Sequence, residues 1–142
     1  VRLTARMDPA MTRRVPALIA AATALTMLLH GANVSAQVQR NFPRDALRGA
    51  LVVVAAPEVQ LNGAPARLAP GARIRGTDNM LALSASLTGY RLVVNYTRDP
   101  QGQVKDVWIL TDAEIARQPW PTTPQQAQAW QFDAASQTWA KP

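Results

Sequence analysis

Few side chains in this sequence have the types and spacing that catalysis or metal binding requires. The chain has no cysteine and one histidine, His30, which lies in an apolar N-terminal segment that we expect to be removed. Without that histidine, Ser-His and Cys-His nucleophilic systems are excluded, as is any thiolate or imidazole metal site. We therefore predict that the protein is not an enzyme and that it carries no cofactor and no metal.

Carboxylates are the remaining candidates for catalysis, because two of them in one cleft can hydrolyse a glycosidic bond. The candidates are Asp99, Asp106, Asp112 and Glu114. Asp99 also suits a turn, and Asp106 suits a strand position that faces solvent. Asp112 and Glu114 suit the first turn of a helix. A carboxylate-dependent hydrolase of cell-wall glycans is therefore an alternative function.

A row of arginines on or beside predicted strands is the first candidate binding feature. It comprises Arg67, Arg73, Arg75, Arg91 and Arg98, of which Arg73, Arg75 and Arg91 are the predicted binding residues. On one face of a barrel they would hold an anionic polymer, a lipid headgroup or a phosphate. Scattered over the surface, they would only keep strand edges from aggregating.

Aromatic residues in the last quarter of the chain are the second candidate binding feature. Trp120, Trp130 and Trp139, together with Phe132, have the density that suits stacking on sugars or binding to a protein partner. The alternative is that they pack the C-terminal tail onto the main domain. The three tryptophans complete the predicted binding residues.

The N-terminal segment has the pattern of a secretory signal peptide. Arg13 and Arg14 precede an apolar run over residues 15–29, and residues 34–36 are the small side chains that a signal peptidase needs. The apolar run is shorter than the ~20 residues that span a bilayer. An uncleaved N-terminal anchor is the alternative.

The signal pattern predicts where the protein goes. We expect cleavage between Ala36 and Gln37, export by the general route, and a periplasmic location, with membrane contact only through the signal segment during export. Met11 is a candidate start of translation, in which case the signal peptide is 11–36 and residues 1–10 are not part of the protein.

Net charge gives little support for nucleic-acid binding. Of the formal charge of +6, half belongs to residues 1–36, which hold four arginines and one aspartate. The rest of the chain is only mildly basic and lacks the concentrated positive field that nucleic-acid binding normally requires. Binding of an oligonucleotide or anionic polymer stays an alternative, on the arginine row.

A hairpin over residues 90–111 is the clearest structural pattern, and the other elements are arranged around it. Two strands with a two-residue period flank the sequence Arg98-Asp99-Pro100-Gln101-Gly102, which has the residues of a tight turn. Further strands are predicted over residues 48–55, 58–61, 64–68 and 72–75. Asn62-Gly63 indicates a hairpin turn, and residues 69–71 indicate a break.

Two short helices are predicted after the hairpin. Thr111 and Glu114 have the spacing of a capping box, and Thr123 and Gln126 repeat it with Pro124 at the first helical position. The predicted fold is mainly β: a small OB-like or SH3-like barrel over residues 37–111. Residues 112–142 form a C-terminal appendage of one or two short helices and an aromatic tail, packed on the barrel.

A resemblance to known proteins rests on five short segments. They are residues 48–51, 59–63, 72–74, 87–94 and 99–104. In them the chain resembles small bacterial envelope domains of unknown function with an OB-like barrel. The chain is also similar to uncharacterised exported proteins of Gram-negative bacteria that end in a Trp-Pro-Thr-Thr-Pro segment, here residues 120–124. The resemblance implies an OB-like fold and export, and it carries no catalytic residue.

The sequence thus predicts a non-enzymatic exported protein that binds an envelope component or a protein partner. The binding residues are the arginines and tryptophans named above. The two alternatives are the glycan hydrolase and the barrel that binds an anionic polymer or oligonucleotide.

Overall fold

Seven strands and two short α-helices make up residues 38–142, the part of the chain that the computed structural model describes. The predicted signal peptide, its cleavage site between Ala36 and Gln37, and Met11 lie outside the described residues. The strands are β1 (Leu47–Ala55), β2 (Glu58–Leu61), β3 (Ala64–Arg75), β4 (Arg91–Arg98), β5 (Val104–Ile109), β6 (Gln131–Asp133) and β7 (Thr138–Ala140). The helices are α1 (Asp112–Ile115) and α2 (Pro124–Ala129), and no helix within residues 38–142 is long and apolar enough to cross a membrane.

The first five strands close into a barrel in the order β1-β2-β3-β5-β4. β1 and β4 pair antiparallel, from Leu47 opposite Tyr96 to Val52 opposite Arg91. β3 and β5 pair parallel, and the other neighbours are antiparallel. The prediction of a mainly β protein with a small barrel, two short helices and an aromatic cluster is confirmed, and the five-stranded closed barrel is consistent with its OB-like form.

The predicted hairpin is present as β4 and β5. Its turn is held by Asp99, whose Oδ1 accepts hydrogen bonds from the backbone N–H groups of Gln101 (3.0 Å) and Gln103 (2.8 Å). Gly102 has φ 81°, a left-handed conformation that glycine adopts without steric cost. The turn chemistry read from the sequence is therefore the chemistry that forms the turn.

The predicted break at residues 69–71 is wrong, because β3 continues through it to Arg75. The β3–β5 register shifts between Leu68 and Arg73, so the extra residues bulge out of the pairing. Both flanks of the bulge stay paired, the first with β2 and the second with β5. Pro70 and Gly71 therefore bend the strand, and neighbouring strands hold it together on either side.

Two apolar clusters hold the fold, one inside the barrel and one outside it. The barrel interior contains Leu47, Leu51, Val53, Val59, Leu61, Leu68, Ile74, Val94, Tyr96, Val104 and Val107. The second cluster, called here the aromatic layer, contains Phe42, Ala46, Leu110, Trp120 and Trp139, with Trp108, Trp130 and Phe132 packed against it. The C-terminal residues thus supply most of a second core.

A buried ion pair links the residues before β1 to helix α1. Arg40 and Glu114 have side chains only 6% and 8% exposed, and the guanidinium meets the carboxylate through two hydrogen bonds, Nε to Oε1 (3.0 Å) and Nη2 to Oε2 (2.6 Å). Arg40 also donates to the carbonyl oxygens of Gly76 (2.8 Å) and Ile109 (2.7 Å). Such a guanidinium is well compensated, which buried charges require.

Arg48, on β1, binds the C-terminal end of α1. Its guanidinium donates to the carbonyl oxygens of Glu114 (3.1 Å), Ile115 (3.3 Å) and Arg117 (2.7 Å), at the C-terminal end of the helix and just beyond it. It also lies 5.0 Å from the centre of the Trp120 ring. Burial lowers the pKa of Arg48 to about 10, so the side chain stays charged at neutral pH.

Both predicted helix caps are present. The Thr111 hydroxyl accepts from the Glu114 N–H (3.3 Å), and the Thr123 hydroxyl accepts from the Gln126 N–H (3.2 Å). Only half of the first capping box forms, however, because the Glu114 carboxylate is bound by Arg40. Glu114, the residue that the capping-box spacing singled out, is therefore also the carboxylate of the buried ion pair.

Replacing Glu114 with leucine should lower the free energy of unfolding by about 3–5 kcal/mol, because Arg40 then stays buried without its counter-charge. Combining Glu114→Leu with Arg40→Met should restore part of that loss. Restoration should be incomplete, because the carbonyls of Gly76 and Ile109 lose their donor. Urea unfolding followed by tryptophan fluorescence measures both effects. The exposed Asp112→Asn is the control, and a Glu114→Leu variant as stable as the wild type would contradict the expectation.

Candidate binding surface

The predicted arginines lie on the outside of the barrel, but not at one place. Arg73 is exposed on β3, where its register partner on β5 is Asp106, and Arg91 is exposed at the start of β4. Arg75 is half-buried, and its Nη1 lies 3.5 Å from the carbonyl oxygen of Asn79. β5 separates β3 from β4 in the sheet order. Arg67, earlier on β3, is paired with Glu58.

Two of the three predicted tryptophans are buried in the aromatic layer. Trp120 and Trp139 are each 5% exposed, and their ring centres lie 6.1 Å apart in an edge-to-face arrangement. The Trp120 indole N–H donates to the carbonyl oxygen of Ala46 (3.0 Å). Neither ring is available to a ligand. Trp130 is half-buried, with the Lys141 ammonium 5.4 Å from its ring centre.

The candidate catalytic carboxylates are engaged in structural contacts. Glu114 pairs with Arg40 in the interior, and Asp99 accepts the turn hydrogen bonds. The Asp106 Oδ2 lies 3.4 Å from the Thr97 hydroxyl, and Asp112 is exposed in the first turn of α1. Within residues 38–142, no group of three or more metal-ligating side chains is placed to hold a metal ion.

A cluster of exposed apolar side chains lies at one end of the barrel and was not predicted from the sequence. Its members are Val54, Met80, Leu81, Leu83 and Tyr90, and together they are called the apical surface. Leu83 is 79% exposed, Met80 and Leu81 are each 68% exposed, and Tyr90 is 64% exposed. Single exposed apolar residues are ordinary, whereas a concentration of them in one region marks an interaction site.

The strand directions explain why these residues share one end. β1, β3 and β5 finish there and β4 begins there, since β1 is antiparallel to β4 and β3 is parallel to β5. Val54 comes from the end of β1, Tyr90 from the start of β4, and the other three from the connection between β3 and β4. We call this end the apical end and the opposite end the basal end.

Backbone hydrogen bonds hold the β3–β4 connection against the barrel. The Ala82 N–H donates to Ile74 O (2.8 Å), and Leu81 forms an isolated bridge with Arg75. The Gly89 N–H donates to Val53 O (2.9 Å). Exposed apolar side chains therefore project from a segment whose backbone is tied down at both ends.

A cleft of about 430 Å³ opens at the apical end. Pro57 and the β3 bulge line it, together with Ala82, Leu83 and Ser84. Ile74, a residue of the barrel interior, also contributes to its lining. None of its lining residues is charged, and Leu83 is one of them.

A larger cleft of about 680 Å³ lies at the basal end, between the residues before β1 and helix α2. Its lining includes Arg44, Asp45, Arg98 and Ala127. Arg98 is already engaged, since its Nη1 donates to Gly102 O (2.7 Å) and its guanidinium lies 5.6 Å from the centre of the Tyr96 ring. Its charged lining residues, Arg44, Asp45 and Arg98, leave a formal charge of +1.

Comparison with known proteins gave no match to a protein-family model, to a curated protein or to a solved structure. The choice of a candidate binding surface therefore rests on its geometry alone. Its one sequence signal was the segment from Met80 to Tyr90, which contains apolar residues without the period of a strand or a helix. Apolar side chains with no regular face to occupy are the ones most easily left exposed.

Trp120→Ala should lower the free energy of unfolding by about 3–5 kcal/mol, because it removes a buried ring and the hydrogen bond to Ala46. Trp130→Ala should lower the free energy of unfolding by clearly less, because that ring is half-exposed. Urea unfolding of the two variants measures the difference. Equal losses, or an unchanged stability for Trp120→Ala, would show that the aromatic layer does not hold the appendage in place.

Proposed function

We propose that this protein is a non-enzymatic, exported binding protein of the bacterial envelope and that it binds through the apical surface. The observation that carries the proposal is the exposure of five large apolar side chains at one end of the barrel. These side chains could have been polar without loss to the barrel interior, because they do not contribute to it. Apolar surface of this kind is retained where it is covered by a partner.

The contrast with the aromatic layer supports this choice of surface. Outward-facing residues of β1, β4 and β5 such as Arg48, Asn95 and Trp108 are covered by the C-terminal appendage. The chain thus has segments that cover one outer face of the barrel, while among residues 38–142 none covers the apical surface. We therefore propose that an external partner covers the apical surface.

The proposed export rests on the signal pattern of residues 11–36 and on the resemblance to exported proteins of Gram-negative bacteria. A periplasmic location would bring the apical surface into contact with envelope components. The partner is then a component of the envelope or another exported protein. Membership in that group of exported proteins is part of this proposal.

The two alternative functions have weaker support. OB-fold barrels that bind oligonucleotides use the face of the second and third strands, with aromatic side chains for stacking. Here residues 58–75 contain no aromatic residue, and the Arg67 charge is neutralised by Glu58. For a glycan hydrolase, Asp99 and Glu114 would have to leave the contacts that hold the turn and the helix.

Leu81→Ser combined with Leu83→Ser should reduce binding to envelope components by roughly tenfold or more. Each substitution removes an apolar side chain whose burial against the partner would favour binding. The assay is retention of envelope extract on the immobilised protein, with membranes and soluble proteins quantified separately. Val38→Ser, at another exposed apolar residue, is the matched control. Unchanged retention by the double variant would refute the apical surface as the binding site.

N-terminal sequencing of the protein from fractionated cells should give a chain that starts at Gln37 in the periplasmic fraction. Replacing Ala36 with a bulky residue such as tyrosine should block this cleavage. Recovery of a chain that starts at Met11 in the membrane fraction would instead indicate an uncleaved anchor.

A further inference from the structure

We infer that the partner of the apical surface is the surface of a lipid bilayer that contains anionic phospholipids. The inference rests on the proposed function, because it names the chemistry of the partner at the same surface. Three observations carry it: the kind of apolar side chain, the arrangement of charge around those side chains, and the small number of residues involved.

The apolar side chains suit a fluid apolar phase. Met80, Leu81 and Leu83 are aliphatic, they are among the most exposed apolar residues of the described chain, and they project from one connection. The cleft beside Leu83 has no charged residue in its lining. Unbranched and γ-branched side chains on a protruding segment can enter the boundary between headgroups and acyl chains without a matching pocket.

Tyr90 occupies the position that an interfacial aromatic residue needs. It is 64% exposed and immediately precedes β4, at the base of the same connection. Tyrosine is enriched at the level of lipid headgroups, because its ring is apolar and its hydroxyl can stay hydrated. A tyrosine on the same connection as the exposed aliphatic residues therefore suits attachment at the headgroup level.

The charge at the apical end complements an anionic surface. Arg73 and Arg91 are exposed and form no ion pair among residues 38–142, and Arg75 is half-buried at the end of β3, where the connection begins. Of the acidic residues near this end, Glu58 pairs with Arg67 and Asp78 Oδ1 accepts from the Met80 N–H (3.0 Å), whereas Asp106 is the register partner of Arg73 on β5. Basic residues beside an inserted apolar segment are attracted to anionic lipids.

The number of residues favours a membrane over a protein partner. A stable protein interface uses about 20–30 residues on each side. The apical surface offers five exposed apolar residues, and two exposed arginines, Arg73 and Arg91, lie on the strands that end or begin there. Insertion of a few apolar side chains assisted by basic residues is sufficient for reversible attachment to a bilayer, where no complementary surface has to be built.

The chain lacks cysteine, so one engineered thiol reports from one place. A polarity-sensitive fluorophore on Leu83→Cys should shift to shorter wavelength when the protein meets vesicles of equal parts phosphatidylcholine and phosphatidylglycerol. The same fluorophore on Gln101→Cys, in the exposed β4–β5 turn at the basal end, should not shift. The pair of labels also separates apical insertion from binding by any other segment, including the apolar run of residues 15–29.

The charge requirement is tested by co-sedimentation. Binding to the mixed vesicles should exceed binding to pure phosphatidylcholine by roughly tenfold and should weaken with added salt. Arg73→Gln with Arg91→Gln should remove most of that preference. Arg44→Gln with Arg98→Gln, two arginines of the basal end, should leave it unchanged.

The outcomes separate this inference from the proposed function. If the Leu83 label does not shift but the wild type still retains a soluble envelope protein through Leu81 and Leu83, the lipid partner is wrong and the binding function stands. If neither vesicles nor envelope extract is retained, both proposals fail. A loss of lipid preference in the Arg44/Arg98 variant as large as in the Arg73/Arg91 variant would also overturn the inference.

Discussion

The guanidinium of Arg40 joins the residues before β1 and helix α1 to the barrel strands, which strand pairing alone does not do. It lies in the residues before β1 and reaches the carboxylate of Glu114 in α1, the end of β5 at Ile109 and the start of the β3–β4 connection at Gly76. Because a buried charge is destabilising unless all its hydrogen bonds are made, these parts must take up their positions together. One well-compensated cation therefore defines where the appendage and the apical connection attach to the barrel.

The aromatic layer makes the outer side of the barrel into a second interior. Trp120 packs against Phe42 and Trp139 and donates to Ala46, while Arg48 places its charge over the same ring. The appendage thus covers one outer face of the barrel, whereas the apolar side chains of the apical surface stay exposed. In this barrel the part of the surface that stabilises the fold is therefore separate from the exposed apolar part.

Local chemistry could be predicted from the sequence, and contacts between distant segments could not. The turn at Asp99 and Gly102 and the caps at Thr111 and Thr123 depend on residues a few positions apart, so spacing alone predicted them. Two-residue alternation separates Val94 and Tyr96 from Asn95 on β4, but it does not show that both faces of the strand are buried there, as they are in the structure. Spacing likewise could not show that Trp120 and Trp139 would be internal, or that the β3 bulge would leave its strand continuous. The apical surface was not predicted for the same reason. Whether a side chain is exposed depends on whether a distant segment of the chain packs over it.

The pairing of the earliest described residues with the latest ones has a consequence for the order in which the protein folds. The Arg40–Glu114 and Trp120–Ala46 contacts each span 74 positions, and the hydrogen bond from the Phe42 N–H to the buried Gln137 amide spans 95. Contacts of such long range close slowly, and none of them exists before the C-terminal residues have been synthesised. The aromatic layer and the segment before β1 therefore cannot reach their final packing until residue 137 has been synthesised, whatever the barrel strands have done before then.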